Sequence, residues 1–116
     1  MGKPDTEDDV ARLSKKIAAM RIFEDKQRKM NLDIKNARGE ILSVPQFTLY
    51  ADTRKGNRPG FDLAAEPEKA KKYWQILNNL LREEGISVKE GVFGAYMQVN
   101  LLNDGPVTIM LDTKAQ

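Results

Sequence analysis

Residues 67–85, PEKAKKYWQILNNLLREEG, decide the fold class because they carry the clearest helical pattern in the chain. Their apolar residues recur every three or four positions, as one face of a helix does; they are Ala70, Tyr73, Trp74, Leu77, Leu80 and Leu81. Pro67 suits a first helical turn, and Gly85 suits the position after the last turn. Tyr73 and Trp74 could offer a platform for stacked bases, but aromatic residues on an apolar helix face are more often core, and we assign them there.

A second helix is predicted upstream, from about Thr6 to Met20. Its apolar residues also follow helical spacing, at Val10, Leu13, Ile17 and Met20. Residues 5–9, DTEDD, supply capping side chains and first-turn carboxylates.

Short apolar runs outside the helices predict strands. The candidates are 21–39 (short strands or loop), 40–44, 47–50, 86–89, 92–102 and 107–112. The segment 47–50 would continue the strand 40–44 beyond a kink at Pro45, whose nitrogen has no hydrogen to donate to a sheet. Two helices with several mostly antiparallel strands define an α+β fold.

Length and composition limit the function classes. The chain of 116 residues suits one domain, and with no long apolar run and no signal sequence we expect a soluble, cytoplasmic protein. Its 19 Lys and Arg against 17 Asp and Glu leave a formal charge of +2, so any nucleic-acid partner would need recognition by shape. Without Cys or His there is no disulfide, no Cys/His zinc site and no Ser-His or Cys-His pair.

The first candidate site is Pro45-Gln46-Phe47-Thr48. A kinked strand would leave the N–H groups of Phe47 and Thr48 unpaired, which is how an oxyanion hole is made, whereas the plainer interpretation is a bulged edge strand. The segment 103–106, NDGP, is most simply a hairpin turn, and a functional interpretation needs something more specific, such as a cis bond.

Charged side chains give weaker signals. Lys55 and Arg58, with Arg54 beside them, could contact phosphates or simply be solvated. The adjacent acids Asp8-Asp9 and Glu83-Glu84 lie at predicted helix ends, where carboxylates usually complement the helix dipole rather than act as acids, bases or metal ligands.

Seven segments form a more specific pattern when they are taken together: 21–25 (RIFED), 30–32 (MNL), 46–50 (QFTLY), 55–59 (KGNRP), 91–95 (GVFGA), 97–99 (MQV) and 103–108 (NDGPVT). In this order and spacing they resemble the D-aminoacyl-tRNA deacylase family, and the resemblance covers almost the whole chain. It implies a homodimer of single domains, here residues 1–116, each with two main helices and a mostly antiparallel, barrel-like sheet. It also implies hydrolysis of the ester of D-aminoacyl-tRNA, and of glycine mischarged on alanine tRNA, with no cofactor and no metal.

The resemblance assigns the catalytic segment to Gln46, Phe47 and Thr48, with the amides of Phe47 and Thr48 beside the scissile carbonyl. A lone Thr hydroxyl without a base is a poor nucleophile, so we favour assistance by the 2′-hydroxyl of the terminal adenosine. Gly105-Pro106 is implied to hold a cis peptide that reaches into the partner subunit's site. There its carbonyl oxygens would accept from the substrate ammonium, and the motif would exclude an L side chain.

The remaining implied site residues surround this centre. Pro45, Ala95 and Met97 would line the pocket, with Phe47 and Met97 forming its apolar wall, while Lys55 and Arg58 would lie toward the tRNA.

The chain departs from the family pattern in three ways. Family members carry roughly thirty further residues before the point matching Gly2, and we expect their loss to expose strand edges and core surface. Pro45 replaces the usual Ser, and Gly60 replaces a Ser in the basic loop. The alternatives are an inactive truncated paralogue that binds tRNA ends or a protein, and a fragment without a stable fold.

Overall fold

A computed structural model describes residues 1–115. Its elements in chain order are α1 (Glu7–Ala19), β1 (Phe23–Glu24), β2 (Met30–Leu32), β3 (Glu40–Ser43), a 3-10 turn (Phe47–Tyr50), α2 (Pro67–Glu83) and β4 (Ser87–Glu90). Two helices with small sheets confirm the α+β class. No helix in this part of the chain is long and apolar enough to cross a membrane.

Helix α1 begins where the predicted capping residues lie. The Thr6 backbone N–H donates to Asp9 Oδ2 at 2.8 Å, and the Asp9 N–H donates to Thr6 Oγ1 at 3.4 Å, which closes a capping box. Lys114 Nζ lies 2.9 Å from Asp9 Oδ2 and 3.0 Å from Oδ1, so the end of the described chain is fastened to the start of α1. Asp9 is therefore a structural carboxylate, as its position at a helix end indicated.

Helix α2 has the predicted ends and buried face. Pro67 lies in its first turn, and Gly85 follows it with φ +86°, a left-handed conformation that a side chain would strain. Trp74 is buried, which confirms its assignment to the core. Glu84 forms an exposed ion pair with Lys35 at 3.2 Å, so the acidic pair at this end is surface charge.

The hydrophobic core lies between the two helices and the second sheet. Its buried members are Ala18, Ile34, Leu81, Ile86 and Val88, with Ile17, Phe23, Ile41 and Leu77 packed against them. The apolar faces that the helical spacing predicts are therefore turned toward the core.

The strands form two separate two-stranded sheets rather than one. Strands β1 and β2 pair antiparallel, whereas β3 and β4 pair parallel, from Glu40 opposite Ser87 to Ser43 opposite Glu90. The expected mostly antiparallel, barrel-like sheet is not shown by residues 1–115, where one sheet is antiparallel, the other is parallel and neither closes. The parallel pair arises because α2 carries the chain back, so that β4 runs in the same direction as β3.

Three predicted strands are absent from the described chain. Residues 47–50 form the 3-10 turn instead of continuing β3, because the strand ends at Ser43 ahead of Pro45. Residues 92–102 and 107–112 have apolar sequences of strand type but pair with no neighbour in the described chain, and a strand requires one. Most of their apolar side chains are exposed, with Tyr96 at 92% and Leu102 at 91%.

Candidate functional site

The main cleft of the described chain brings together three loops beside α2. It has a volume of about 500 Å³. Its lining comes from 45–47, from 61–67 and from 93–97, with Ala70 of α2 and Lys3. Five predicted site residues line it: Pro45, Gln46, Phe47, Ala95 and Met97.

Aromatic contacts hold the walls of the cleft in place. The Phe47 and Phe61 rings meet edge to face with their centroids 5.0 Å apart. Trp74 supports another wall, because its ring lies 6.1 Å from Phe93 while its Nε1 donates to Ser43 Oγ at 2.8 Å. The Trp74 indole ring thus connects the last residue of β3 and the buried face of α2 to the cleft.

A glycine allows Met97 to lie close to Pro45. A Cβ at Gly91 would lie 3.0 Å from Met97 Sδ and 3.4 Å from Pro45 Cδ. The Val92 N–H donates to Met97 Sδ at 3.4 Å, which fixes the thioether against this loop. Met97 is therefore a positioned apolar wall, and a larger residue at 91 would displace it.

The 3-10 turn begins at Phe47, which lines the cleft, and continues with Thr48, which does not. Amides at the start of such a turn have no acceptor within the turn, which leaves them available to a ligand oxygen. Gln46 Nε2 donates to Thr48 Oγ1 at 2.6 Å. Because a carboxamide cannot remove a proton, this contact orients the Thr48 hydroxyl without activating it.

The basic loop is closed at its base. Asp52 and Gly60 exchange backbone hydrogen bonds of 2.7 and 2.9 Å, and Arg54 Nη2 lies 2.7 Å from Asp52 Oδ2. Hydrogen bonds from the Arg54 side chain and backbone lower the pKa of Asp52 to about 2. Arg54 is thereby neutralised, while Lys55 and Arg58 are exposed and form no salt bridge within residues 1–115.

Gly105 and Pro106 lie outside the cleft of their own chain. The peptide bond between them is cis, and both residues are exposed. A Cβ at Gly105 would lie 2.8 Å from Asn103 Oδ1 and 3.0 Å from Val107 N. Thr48, Lys55 and Arg58 also do not line the cleft, so half of the ten predicted site residues are brought together and half are not.

The cleft contains residues that the sequence analysis did not single out. Phe93 was quoted only as part of a motif, and Phe61 and Lys3 carried no signal because neither lies in a quoted segment. Their position at the cleft depends on loops that bring distant parts of the chain together, and residue spacing alone does not predict such an approach. Asp62 and Glu66 also lie at this cleft.

The comparisons with known proteins define the class. A profile described as D-Tyr-tRNA(Tyr) deacylase matches residues 1–112. D-aminoacyl-tRNA deacylase of Bifidobacterium animalis subsp. lactis is 58% identical over 102 residues, which cover 88% of this chain and 64% of that protein. The Thermotoga petrophila protein of the same name is 52% identical over 113 residues, covering 97% of this chain and 76% of that protein.

Two further similarities bear on the interpretation. A Bacillus subtilis protein named inactive D-aminoacyl-tRNA deacylase is 54% identical over 110 residues, which cover 95% of this chain and 83% of that protein. A solved structure titled c-Myc DNA Unwinding Element Binding Protein superimposes with a TM-score of 0.88 at 38% identity, covering 97% of this chain and 77% of that one. The chain belongs to the D-Tyr-tRNA(Tyr) deacylase family, a family of hydrolases. It spans 64%, 76% and 83% of the lengths of the Bifidobacterium, Thermotoga and Bacillus proteins, respectively.

Proposed function

We propose that this chain hydrolyses the ester bond of D-aminoacyl-tRNA, releasing the free D-amino acid and tRNA in the cytoplasm. The observation that carries the proposal is the cleft that gathers Pro45, Gln46, Phe47, Ala95 and Met97 in a member of this family. Glycine mischarged on alanine tRNA is a second substrate of the same site, since glycine has no side chain to be rejected.

The size and surface of the cleft suit the end of an aminoacylated tRNA. A volume of about 500 Å³ falls within the usual range of small-ligand sites. Phe47 and Met97 provide flat and adaptable apolar walls for the adenine and the amino-acid side chain.

The backbone amides of Phe47 and Thr48 would stabilise the tetrahedral intermediate. Negative charge develops on the carbonyl oxygen during ester hydrolysis, and two preorganised N–H donors lower its energy. The substrate's own 2′-hydroxyl, next to the ester, would attack or activate the water that does. This accounts for a site in which Thr48 Oγ1 accepts from a carboxamide and the sequence has no His or Cys.

A second copy of the chain would supply chiral selection through Gly105-Pro106. The exposure of both residues and their place outside their own cleft support an insertion into a partner's cleft. The carbonyl oxygens of this motif would accept from the substrate ammonium and leave no room for an L side chain. Exposed apolar residues in the chain segment that leads to this motif, including Tyr96, Leu101 and Leu102, support a dimer interface.

The tRNA body would lie toward the basic loop. Lys55 and Arg58 carry exposed charges that are not neutralised within residues 1–115, whereas Arg54 is held by Asp52. We therefore assign phosphate contacts to Lys55 and Arg58 and none to Arg54.

The experiment that tests the mechanism compares two substrates for the purified chain. D-tyrosyl-tRNA ending in adenosine should be cleaved, and the same substrate ending in 2′-deoxyadenosine should be cleaved at least about a hundredfold more slowly. Equal rates on both substrates would exclude assistance by the 2′-hydroxyl while leaving the hydrolase assignment intact.

A second candidate function is a non-catalytic module that binds aminoacyl-tRNA ends or a protein partner. It is favoured by the 54% identical relative that is named inactive and by Pro45 where the resemblance expects Ser. The two functions differ in one observable. A hydrolase speeds loss of the ester, whereas a binding module leaves it unchanged or protects it.

A further inference from the structure

Lys3 is the one basic residue among those that line the cleft in the described chain. The wall around it is mostly apolar, and the other charged lining residues are Asp62 and Glu66. Lys3 forms no salt bridge within 4.0 Å among residues 1–115, so its ammonium is not committed to either carboxylate.

The backbone of Lys3 is fixed on the cleft wall from several sides. Its N–H donates to the carbonyl of Leu63 at 3.1 Å, and its own carbonyl accepts from Lys69 Nζ at 2.6 Å. The preceding residue, Gly2, is buried and forms a bridge with Ala64, and the Ala65 N–H donates to the Met1 carbonyl at 3.0 Å. The backbone of Lys3, from which its side chain extends, therefore has a fixed position on the cleft wall.

Charges of both signs at the cleft suit a ligand that carries both signs. An aminoacyl-nucleotide has a cationic α-ammonium at one end and an anionic phosphate at the other. Lys3 is exposed and lines the cleft, so its ammonium can reach an anionic group of a ligand there. Lysine binds phosphate as a point charge and needs no fixed orientation.

We propose that Lys3 binds the phosphate on the 5′ side of the terminal nucleotide and so sets where the aminoacyl end stops in the cleft. This inference rests on the proposed function and adds a phosphate contact that is separate from Lys55 and Arg58. It makes Lys3 a specificity residue for a nucleotide over a nucleoside.

The test uses two stable ligands that differ by that phosphate alone. They are the 3′-amide analogue of D-tyrosyl-adenosine, which is not hydrolysed as the ester is, and the same compound carrying a 5′-phosphate. Calorimetry on the full chain should show that Lys3→Ala weakens binding of the phosphorylated ligand about tenfold and changes the other by less than about twofold. Lys3→Arg should retain most of the preference for the phosphorylated ligand.

A matched control removes the same charge elsewhere. Lys71 is an exposed lysine of α2 that does not line the cleft, and Lys71→Ala should leave both affinities unchanged. If Lys3→Ala weakened both ligands equally, or neither, the inference would be overturned while the proposed function stood. If the wild-type chain bound neither analogue and cleaved no D-aminoacyl-tRNA, the proposed function would fail together with it.

Discussion

At the scale of single residues, the Thr48 hydroxyl separates two mechanisms. Its oxygen accepts a 2.6 Å hydrogen bond from Gln46, and no basic group among residues 1–115 contacts it. If the backbone amide rather than the hydroxyl acts on the substrate, Thr48→Val should lower the rate of D-tyrosyl-tRNA cleavage by less than about tenfold. Single-turnover kinetics measure this directly, and a loss of about a thousandfold or more would make the hydroxyl a nucleophile.

Asn78 carries a stability cost that the sequence did not reveal. Its side chain is fully buried on α2, and neither Oδ1 nor Nδ2 has a hydrogen-bond partner among the described residues. Because a buried, unpaired amide is destabilising, Asn78→Leu should raise the free energy of unfolding by about 1–3 kcal/mol. Denaturant unfolding of both proteins provides the measurement.

The neighbouring asparagine gives the control for that substitution. Asn79 is exposed and only accepts from Arg82 Nη1 at 3.1 Å, so Asn79→Leu should change stability by less than about 0.5 kcal/mol. A destabilised Asn78→Leu protein would show that the amide has a partner in solution.

At the scale of elements, the start of α1 predicts a pH dependence. Hydrogen bonds from Lys114, then from the Thr6 backbone and the Thr113 hydroxyl, hold the pKa of the Asp9 carboxyl well below its ordinary value of 3.8. A carboxyl whose pKa is depressed by folding stabilises the fold above that ordinary value and loses this contribution as the pH falls. Asp9→Asn should therefore lower the melting temperature at pH 7, and the difference should shrink below about pH 4.

The control for this pH dependence lies next to Asp9. Asp8 is an exposed carboxylate in the same first turn, so Asp8→Asn keeps the capping box and the Lys114 contact intact. At pH 7 its melting temperature should fall much less than that of Asp9→Asn, because only a first-turn charge is lost. A difference between wild type and Asp9→Asn that persisted unchanged at pH 3 would contradict the assignment.

Helices were predictable from this sequence and several strands were not. The predicted helix from Thr6 to Met20 and the helix after Pro67 were confirmed because periodicity and capping residues are local signals. Residues 92–102 have the composition of a strand, but composition reports only that a segment would fit a pleated surface. The sequence of residues 92–102 does not specify which other segment would pair with them to form a sheet. At 47–50, Pro45 ended the strand and a 3-10 turn replaced its predicted continuation.

At the scale of the whole molecule, five of the residues that the sequence analysis assigned to the site lie at one cleft. Pro45, Gln46, Phe47, Ala95 and Met97 meet at one cleft, although about fifty residues separate the two groups. Lys3 and Phe61 were missed because their approach to the cleft depends on how the opening segment pairs with residues 63–65. Gly105-Pro106 does not reach the cleft of its own chain, so its assigned role requires a second copy.

That requirement makes Gly105 the residue that tests the dimeric site. A methyl group there would lie 2.8 Å from Asn103 Oδ1 and 3.0 Å from Val107 N, so Gly105→Ala should displace the segment carrying Pro106. We expect slower cleavage of D-tyrosyl-tRNA together with weaker rejection of the L ester. The ratio of the two rates is the readout, and an unchanged ratio would refute the role of this motif in chirality.

Removal of D-amino acids and glycine from tRNA by hydrolysis is the activity that we propose for this chain. A time course with D-tyrosyl-, glycyl- and L-tyrosyl-tRNA at one enzyme concentration tests it most directly. We expect the first two esters to be cleaved well above the spontaneous rate while the L ester is spared. No cleavage of the D and glycyl esters, by a chain that melts cooperatively and binds the stable analogues, would contradict it and leave a binding module.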